Sequence, residues 1–260
     1  MFKTLFTIVL IIIVIFVILP KSTSHNIEII ENKIEEKIVQ NIPLILKNDA
    51  PVSNLTIQGV LTNTNQARNI NGKLPALKLN DSLNKIADIR LKDMFAKQYF
   101  EHFSPQGVGA AEVSREVGYE YILIGENIAL GNFADDEMLV KAWMDSPGHR
   151  ANILNTRFTE IGIAVGKGEF KEKNTWIAVQ VFARPSSLCP IIDKDLKTKI
   201  DIYQTALVTI KSDLEKNQTT MKPNEYNDLV RKTNNTIAEL KNFIATYNDQ
   251  IKAYNICIKN

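Results

Sequence analysis

The sequence predicts an α+β domain set between an apolar N-terminal segment and a C-terminal pair of long helices. Three observations lead there. Helical periodicity fills the first half of residues 58–185 and strand alternation fills its end. Leu5 to Leu19 is an unbroken apolar run apart from Thr7. After Pro190, apolar residues recur at alternating spacings of four and three over two long stretches. The chain has 260 residues and is 45% hydrophobic, enough for one domain of ordinary size plus accessory segments. Thirty-one basic and 29 acidic residues leave a formal charge of +2. No basic stripe interleaves with aromatics, which excludes a nucleic-acid binder.

The N-terminal segment, residues 1–20, reads as a signal-anchor or transmembrane helix. Lys3 precedes the apolar run, Pro20-Lys21 follow it, and no alanine-rich cleavage site is present. A spanning helix needs about 20 apolar residues, so Phe2 to Pro20 must contribute together. The short basic start stays inside by the positive-inside tendency, which leaves the body extracytoplasmic. If Ser22 or Ser24 serves instead as a cleavage residue, the protein is secreted. Residues 21–57 read as a spacer. Within it, Ile27, Ile30, Ile34 and Ile38 predict a short amphipathic helix over Asn26–Asn41 that Pro43 cannot continue.

In the domain, Asn65, Arg68 and Asn71 belong to a first helix that ends at Gly72. Asp81 is the expected N-cap of a second helix, with Leu83, Ile86, Leu91 and Met94 on its apolar face, running to Phe100. Ala110–Val117 is a third helix, with Gly118 as its C-terminal cap. Asp135–Ser146 is a fourth, its acidic start suited to the helix dipole. Ile161, Ile163 and Val165 alternate with small residues, and Trp176–Phe182 is rich in β-branched and aromatic side chains. These predict an antiparallel pair joined through residues 166–174. Gly162 and Ala164 allow a helix to approach one face closely.

Residues 186–260 predict an antiparallel helical hairpin of coiled-coil pattern. One series runs from Leu196 to Leu214 and the other from Tyr226 to Ile258, broken at 217–223. Cys189 and Cys257 lie at comparable distances from the turn, and an exported protein can pair them as a disulfide clamping the open end. The hairpin either packs on the domain or presents a surface to a coiled-coil partner or a second copy.

Two of the three histidines fall in turn-rich strings, His102 in Glu-His-Phe-Ser-Pro and His149 in Ser-Pro-Gly-His-Arg. Glu126 sits between them in Gly-Glu-Asn-Ile-Ala, a string that reads as loop. Histidine is the commonest metal ligand and proton carrier near neutral pH, and a carboxylate beside it can orient it, bind a metal or move a proton. Ser146 is placed to cap a short helix with Pro147 at its first position. His149 then lies in the first turn, where the dipole favours a neutral imidazole able to bind a cation. Two His and one Glu suit a three-ligand metal site with an open position, or a non-metal polar cluster. No nucleophile elbow, phosphate loop or paired-cysteine zinc motif is present.

Taken in order, Asn65-x-x-Arg68, Leu77-x-Leu79-Asn80-x-x-Leu83, His102-Phe-Ser-Pro105, Gly118-Tyr119, Gly125-Glu-Asn-Ile-Ala129, Trp143-Met-x-Ser-Pro-Gly-His149-Arg-x-Asn-Ile-Leu154, Gly162-Ile-Ala164 and Gln180-Val-Phe182 resemble the CAP superfamily. This is the family of cysteine-rich secretory, antigen 5 and pathogenesis-related 1 proteins, here in its bacterial SCP-domain form. The resemblance implies a CAP-type α-β-α sandwich around a small antiparallel sheet. It also implies a surface cleft lined by two histidines and up to two acidic residues, three of which match His102, Glu126 and His149. A second Glu, which many eukaryotic members place shortly after the tryptophan, is missing from Met144-Asp145-Ser146, and Asp145 is out of register. The disulfides inside the family's domain are absent. Family members are mostly secreted, non-enzymatic binders of sterols, lipids, glycans or divalent metals, and a few have been proposed to be proteases.

These observations predict an extracytoplasmic binding module of the cell envelope, anchored in the membrane by residues 5–19. Its cleft of His102, Glu126 and His149 would hold a divalent metal such as zinc, or a small ligand. The partner would be an envelope lipid, glycan or protein. One alternative is a metal-dependent hydrolase acting on envelope peptides or polymers, with Glu126 as third ligand or as base. Another is a scaffold acting through the hairpin.

Overall fold

The computed structural model describes residues 38–39, 42–46, 54–217 and 219–259. The apolar segment Leu5–Leu19 and most of the expected amphipathic helix lie outside them. Among the described residues no helix is long and apolar enough to cross a membrane.

A mixed sheet forms the middle layer. Its strands are β1 (Ile38–Val39), β2 (Leu44–Ile45), β3 (Lys78–Leu79), β4 (Tyr121–Gly131), β5 (Glu160–Phe170) and β6 (Lys173–Pro185). The order is β1-β4-β6-β5-β3, with β2 also on β4. The three long strands are antiparallel, whereas β1, β2 and β3 pair in parallel, so the sheet is not purely antiparallel. The short strands arrive from distant parts of the chain and match the direction of the strand they meet.

The stretch expected to be spacer supplies two of these strands. Ile38–Val39 pairs with Ile124 and Gly125. Leu44–Ile45 pairs with Ala129 and Leu130, and Leu46 N–H donates to Leu130 C=O. The amphipathic helix therefore does not run to Asn41. A β-branched pair followed four residues later by Pro43 favours extended backbone, and the free edge of β4 satisfies its polar groups. Gly131 permits the contact: at φ +145° a side chain is strained, and a Cβ there would lie 2.7 Å from Leu46 O.

Helices cover both faces. On one face lie α1 (Ile57–Ile70), α4 (Asp136–Asp145) and α5 (Pro147–Ile153), and on the other α2 (Asp81–Lys97) and α3 (Ala110–Val117). Strand alternation sorts the core. Ile177, Val179, Val181 and Ala183 pack with Leu83, Ile86 and Met94, while Ala178 and Phe182 pack with Val60, Leu139 and Trp143. The close approach expected at Gly162 is present: a Cβ there would lie 2.0 Å from the backbone carbon of Leu83 in α2. The N-cap of α2 is Asn80 rather than Asp81, because the Asn80 side chain accepts from Leu83 N–H. Gly118 caps α3 with φ +75° as expected. The β5–β6 strands extend past the polar stretch read as their connection and turn at Lys171-Glu172, both at positive φ.

Beyond a 3₁₀ turn at Ser186–Leu188, α6 (Lys194–Asn217) and α7 (Pro223–Lys259) form the hairpin. Leu196, Ile200, Leu240 and Tyr247 make its small core. Tyr203 bonds Glu239, and Gln250 bonds the backbone of Asp193, as an antiparallel pair requires. Cys189 and Cys257 form a disulfide with Cα atoms 5.6 Å apart. Arg157 donates to Ile258 C=O at 2.8 Å, tying the hairpin's end to the domain.

Candidate functional site

Glu126 is not in a loop. It lies in β4 opposite Val181, on the face that looks toward α2, while Asn127 looks toward α5. Glycine, glutamate and asparagine are poor strand formers, which is why the string reads as loop. Continuous pairing with the long strand β6 overrides that preference.

Across from Glu126, α2 presents Arg90, buried with 1% exposure. Arg90 Nε donates to Glu126 Oε1 at 3.1 Å. Its Nη1 donates to Tyr99 OH at 2.7 Å and Val108 C=O at 3.1 Å, and its Nη2 donates to Glu101 C=O at 2.8 Å. One guanidinium therefore fixes both the carboxylate and the backbone just before His102. Burial works against the Arg90 charge, but the Glu126 carboxylate and Tyr99 outweigh it and raise its proton affinity. Tyr99 donates to Asp93 at 2.7 Å, and Lys97 pairs with Asp93, which carries the network to the surface. Burial and the bond to Asp93 push the Tyr99 hydroxyl up to about 12.

His102 Nδ1 lies 2.7 Å from Glu126 Oε2. An ionised carboxylate only accepts, so Nδ1–H donates and the neutral ring keeps its lone pair on Nε2. His149 Nδ1 lies 2.8 Å from Ser146 Oγ. Ser146 occupies the N-cap position of α5, yet its hydroxyl makes no cap bond and serves the imidazole instead. Burial, then the charge of nearby His102, holds His149 down to about 4. The neutral form expected from the helix start thus has a different cause. Nε2 of both histidines is buried and has no hydrogen-bond partner among the described residues.

The structure therefore brings His102, Glu126 and His149 together, but not as an open cleft. His149 is 1% and Glu126 3% exposed, and solvent meets the cluster through His102, whose side chain is 10% exposed. The expected three-ligand set takes another form. Glu126 has one oxygen on Arg90 and one on His102, so it stands behind an imidazole. Among the described residues no group of three or more His, Cys, Asp or Glu is arranged to hold a metal. Asp145 points away, paired with Lys141 on the surface.

A second network holds His149 in register with Glu126. Asn127 Nδ2 donates to His149 C=O and to Gln180 Oε1, both at 3.2 Å. Asn152 Nδ2 donates to Glu126 C=O and to Asn127 Oδ1, and Gln180 Nε2 donates to Thr64 Oγ1. Arg68 Nη1 donates to Ile153 and Asn155 carbonyls at the end of α5. Burial lowers its proton affinity. Sequence reasoning missed Arg90 and the amide chain. The available signal for Arg90 was a charged residue within the apolar stripe Ile86, Ala87, Leu91 and Met94.

Comparison with known proteins places this geometry. Residues 61–182 match the CAP family, described as the cysteine-rich secretory protein family. Protein YkwD of Bacillus subtilis (strain 168) is 43% identical over 100 residues, which are 38% of this chain and 38% of that protein. Membrane protein YlbC of the same strain is 31% identical over 108 residues, 42% of this chain and 31% of that protein. The chain thus spans well under half the length of these relatives. Among solved structures, an extracellular protein containing a SCP domain from Bacillus anthracis is 30% identical, with a TM-score of 0.42 over 49% of this chain and 39% of that one. Residues 61–182 of the chain thus carry a domain of the CAP family.

Proposed function

We propose that the protein is an extracytoplasmic binding module of the cell envelope that holds a divalent cation between His102 and His149. The observation that carries this reading is the pair of buried Nε2 atoms without a hydrogen-bond partner. A buried polar atom left unsatisfied costs about 1–3 kcal/mol, and a cation shared by two imidazoles removes that cost twice. The donor set suits the metal: neutral imidazole is a good ligand for Zn²⁺, and burial favours the neutral form of His149. Bound there, the cation supplies a Lewis-acidic centre with open positions for an anionic or carbonyl ligand. Glu126 orients His102 and strengthens its lone pair, while Arg90 keeps that carboxylate in place. Ser146 does the same for His149.

Binding is favoured over hydrolysis because Glu126, the residue that would act as base, has both oxygens engaged. The Cys189–Cys257 disulfide supports an oxidising compartment, and a relative is named as a membrane protein. Residues 5–19 would tether the module, and the hairpin would set its distance from the envelope partner.

Calorimetric titration of chelator-stripped full-length protein with Zn²⁺ tests the reading. One site is expected, lost in His102→Ala and His149→Ala and weakened about 10- to 100-fold in Glu126→Gln. No uptake by the wild type, or uptake unaffected in His149→Ala, sinks it. Turnover of envelope peptides that disappears on chelation and in Glu126→Gln reinstates the hydrolase.

A further inference from the structure

Strand β5 carries a short length of open edge whose hydrogen-bonding groups complement a second copy of themselves. Phe170 and Lys173 flank the two-residue turn and pair across β5 and β6. That sets the phase: even-numbered residues of β5 bond β6, and odd-numbered ones aim N–H and C=O outward. Toward the start of β5, β3 pairs with Glu160 and Ile161 only. Asn80 N–H then donates to Ile161 C=O at 2.9 Å, and Asn84 Oδ1 accepts from Ile163 N–H at 2.8 Å. At the far end, the Gln98 side chain donates to Glu169 C=O at 3.0 Å and accepts from Lys171 N–H at 2.6 Å. Between these two amide side chains, the N–H and C=O of Val165 and Lys167 have no partner among the described residues. Val165 is half-buried and Lys167 is exposed.

We propose that this window is a dimer seam, in which a second copy adds edge to edge, antiparallel, about a two-fold axis at Gly166. In that register Val165 of each chain faces Lys167 of the other. Each pair exchanges both of its hydrogen bonds, so all four open groups of each copy are satisfied. The next pair outward sets Ile163 against Glu169; there the Ile163 N–H is already held by Asn84 and the Glu169 C=O by Gln98, so this pair cannot exchange both of its bonds. Other two-fold registers fail. An axis at Lys167 sets like charges directly opposite each other, which is destabilising. An axis at Val165 or Gly168 places the engaged groups of Ile163, Glu169 or Lys171 where the bonds must form. Side chains agree with the chosen register, because the Lys167 stem lies along Val165 of the other copy. Gly166 and Gly168 add no side chain on the α2 side of the seam. The self-matching window favours a second copy over an unrelated extended peptide, which would leave the length of the window unexplained.

Sedimentation velocity of the full-length chain in non-ionic detergent, from about 1 to 200 μM, tests this. The wild type should self-associate to a dimer. Val165→Lys sets a second lysine opposite Lys167 twice per dimer and should weaken association about tenfold, whereas Val165→Glu should tighten it. Lys167→Pro removes an outward N–H without touching a β6 bond and should abolish the dimer. A monomer throughout this range overturns the proposal. If the Val165 and Lys167 amides are then protected from hydrogen exchange, another segment of the chain covers the edge, or an extended peptide does where one has co-purified. A dimer unmoved by Lys167→Pro also overturns it and points to association through the helices.

Discussion

Lowering the pH should destabilise the domain through His149 in a calculable way. Its imidazole has an unfolded value near 6.5 and is held down to about 4 in the fold by burial and by His102. Between those values the unfolded chain binds the extra proton and the folded one does not. Stability from this residue is therefore fully present above about pH 6.5 and is lost progressively as pH falls toward 4. Each pKa unit is worth about 1.4 kcal/mol, so the total is about 3 kcal/mol, of which about 2 kcal/mol is lost by pH 5. Guanidinium unfolding followed by fluorescence reads this directly, since Trp143 and Trp176 are both buried in the sheet domain. Other carboxylates titrate in the same range, so the quantity to compare is the drop from pH 7.5 to pH 5 in wild type against His149→Gln, both with chelator. The wild type should lose about 2 kcal/mol more. Equal losses in the two proteins, or a smaller loss in the wild type, refute the claim that His149 is buried as a neutral ring.

Other substitutions follow from the same contacts. Arg90→Met leaves Glu126 as a buried charge without its cation and should cost about 3–5 kcal/mol, with partial rescue when Glu126→Gln is added; a double-mutant cycle by denaturation measures the coupling. Gly162→Ala drives a methyl into the Leu83 backbone and should cost at least about 3 kcal/mol; a Tm close to wild type contradicts the packing described. The Cys189–Cys257 disulfide spans 68 residues, for which loop entropy contributes about 4 kcal/mol. Reduction should therefore melt the hairpin, seen as lost helical circular dichroism at lower denaturant, before the tryptophan signals move.

Much of the architecture was legible in the sequence because local patterns carried it. The apolar stripe of α2, the glycine cap of α3, the alternation in β5 and β6 and the alternating spacing of α6 and α7 each depend on residues near one another in the chain. Those patterns located the helices, the central antiparallel pair and the reach of Cys189 to Cys257. The identities of His102, Glu126 and His149 were likewise visible as rare residues in distinctive strings. What tertiary structure alone decided is how they act. Glu126 sits in a strand because the long strand β6 pairs with it, against the preference of Gly-Glu-Asn for turns. Arg90 claims one of its oxygens and His102 the other, which turns an expected ligand into an orienting group. Ser146 serves an imidazole rather than a helix end. Each of these outcomes rests on a hydrogen bond whose partner is far away in sequence or whose geometry the local pattern leaves open, and in a buried site such bonds outweigh local propensity.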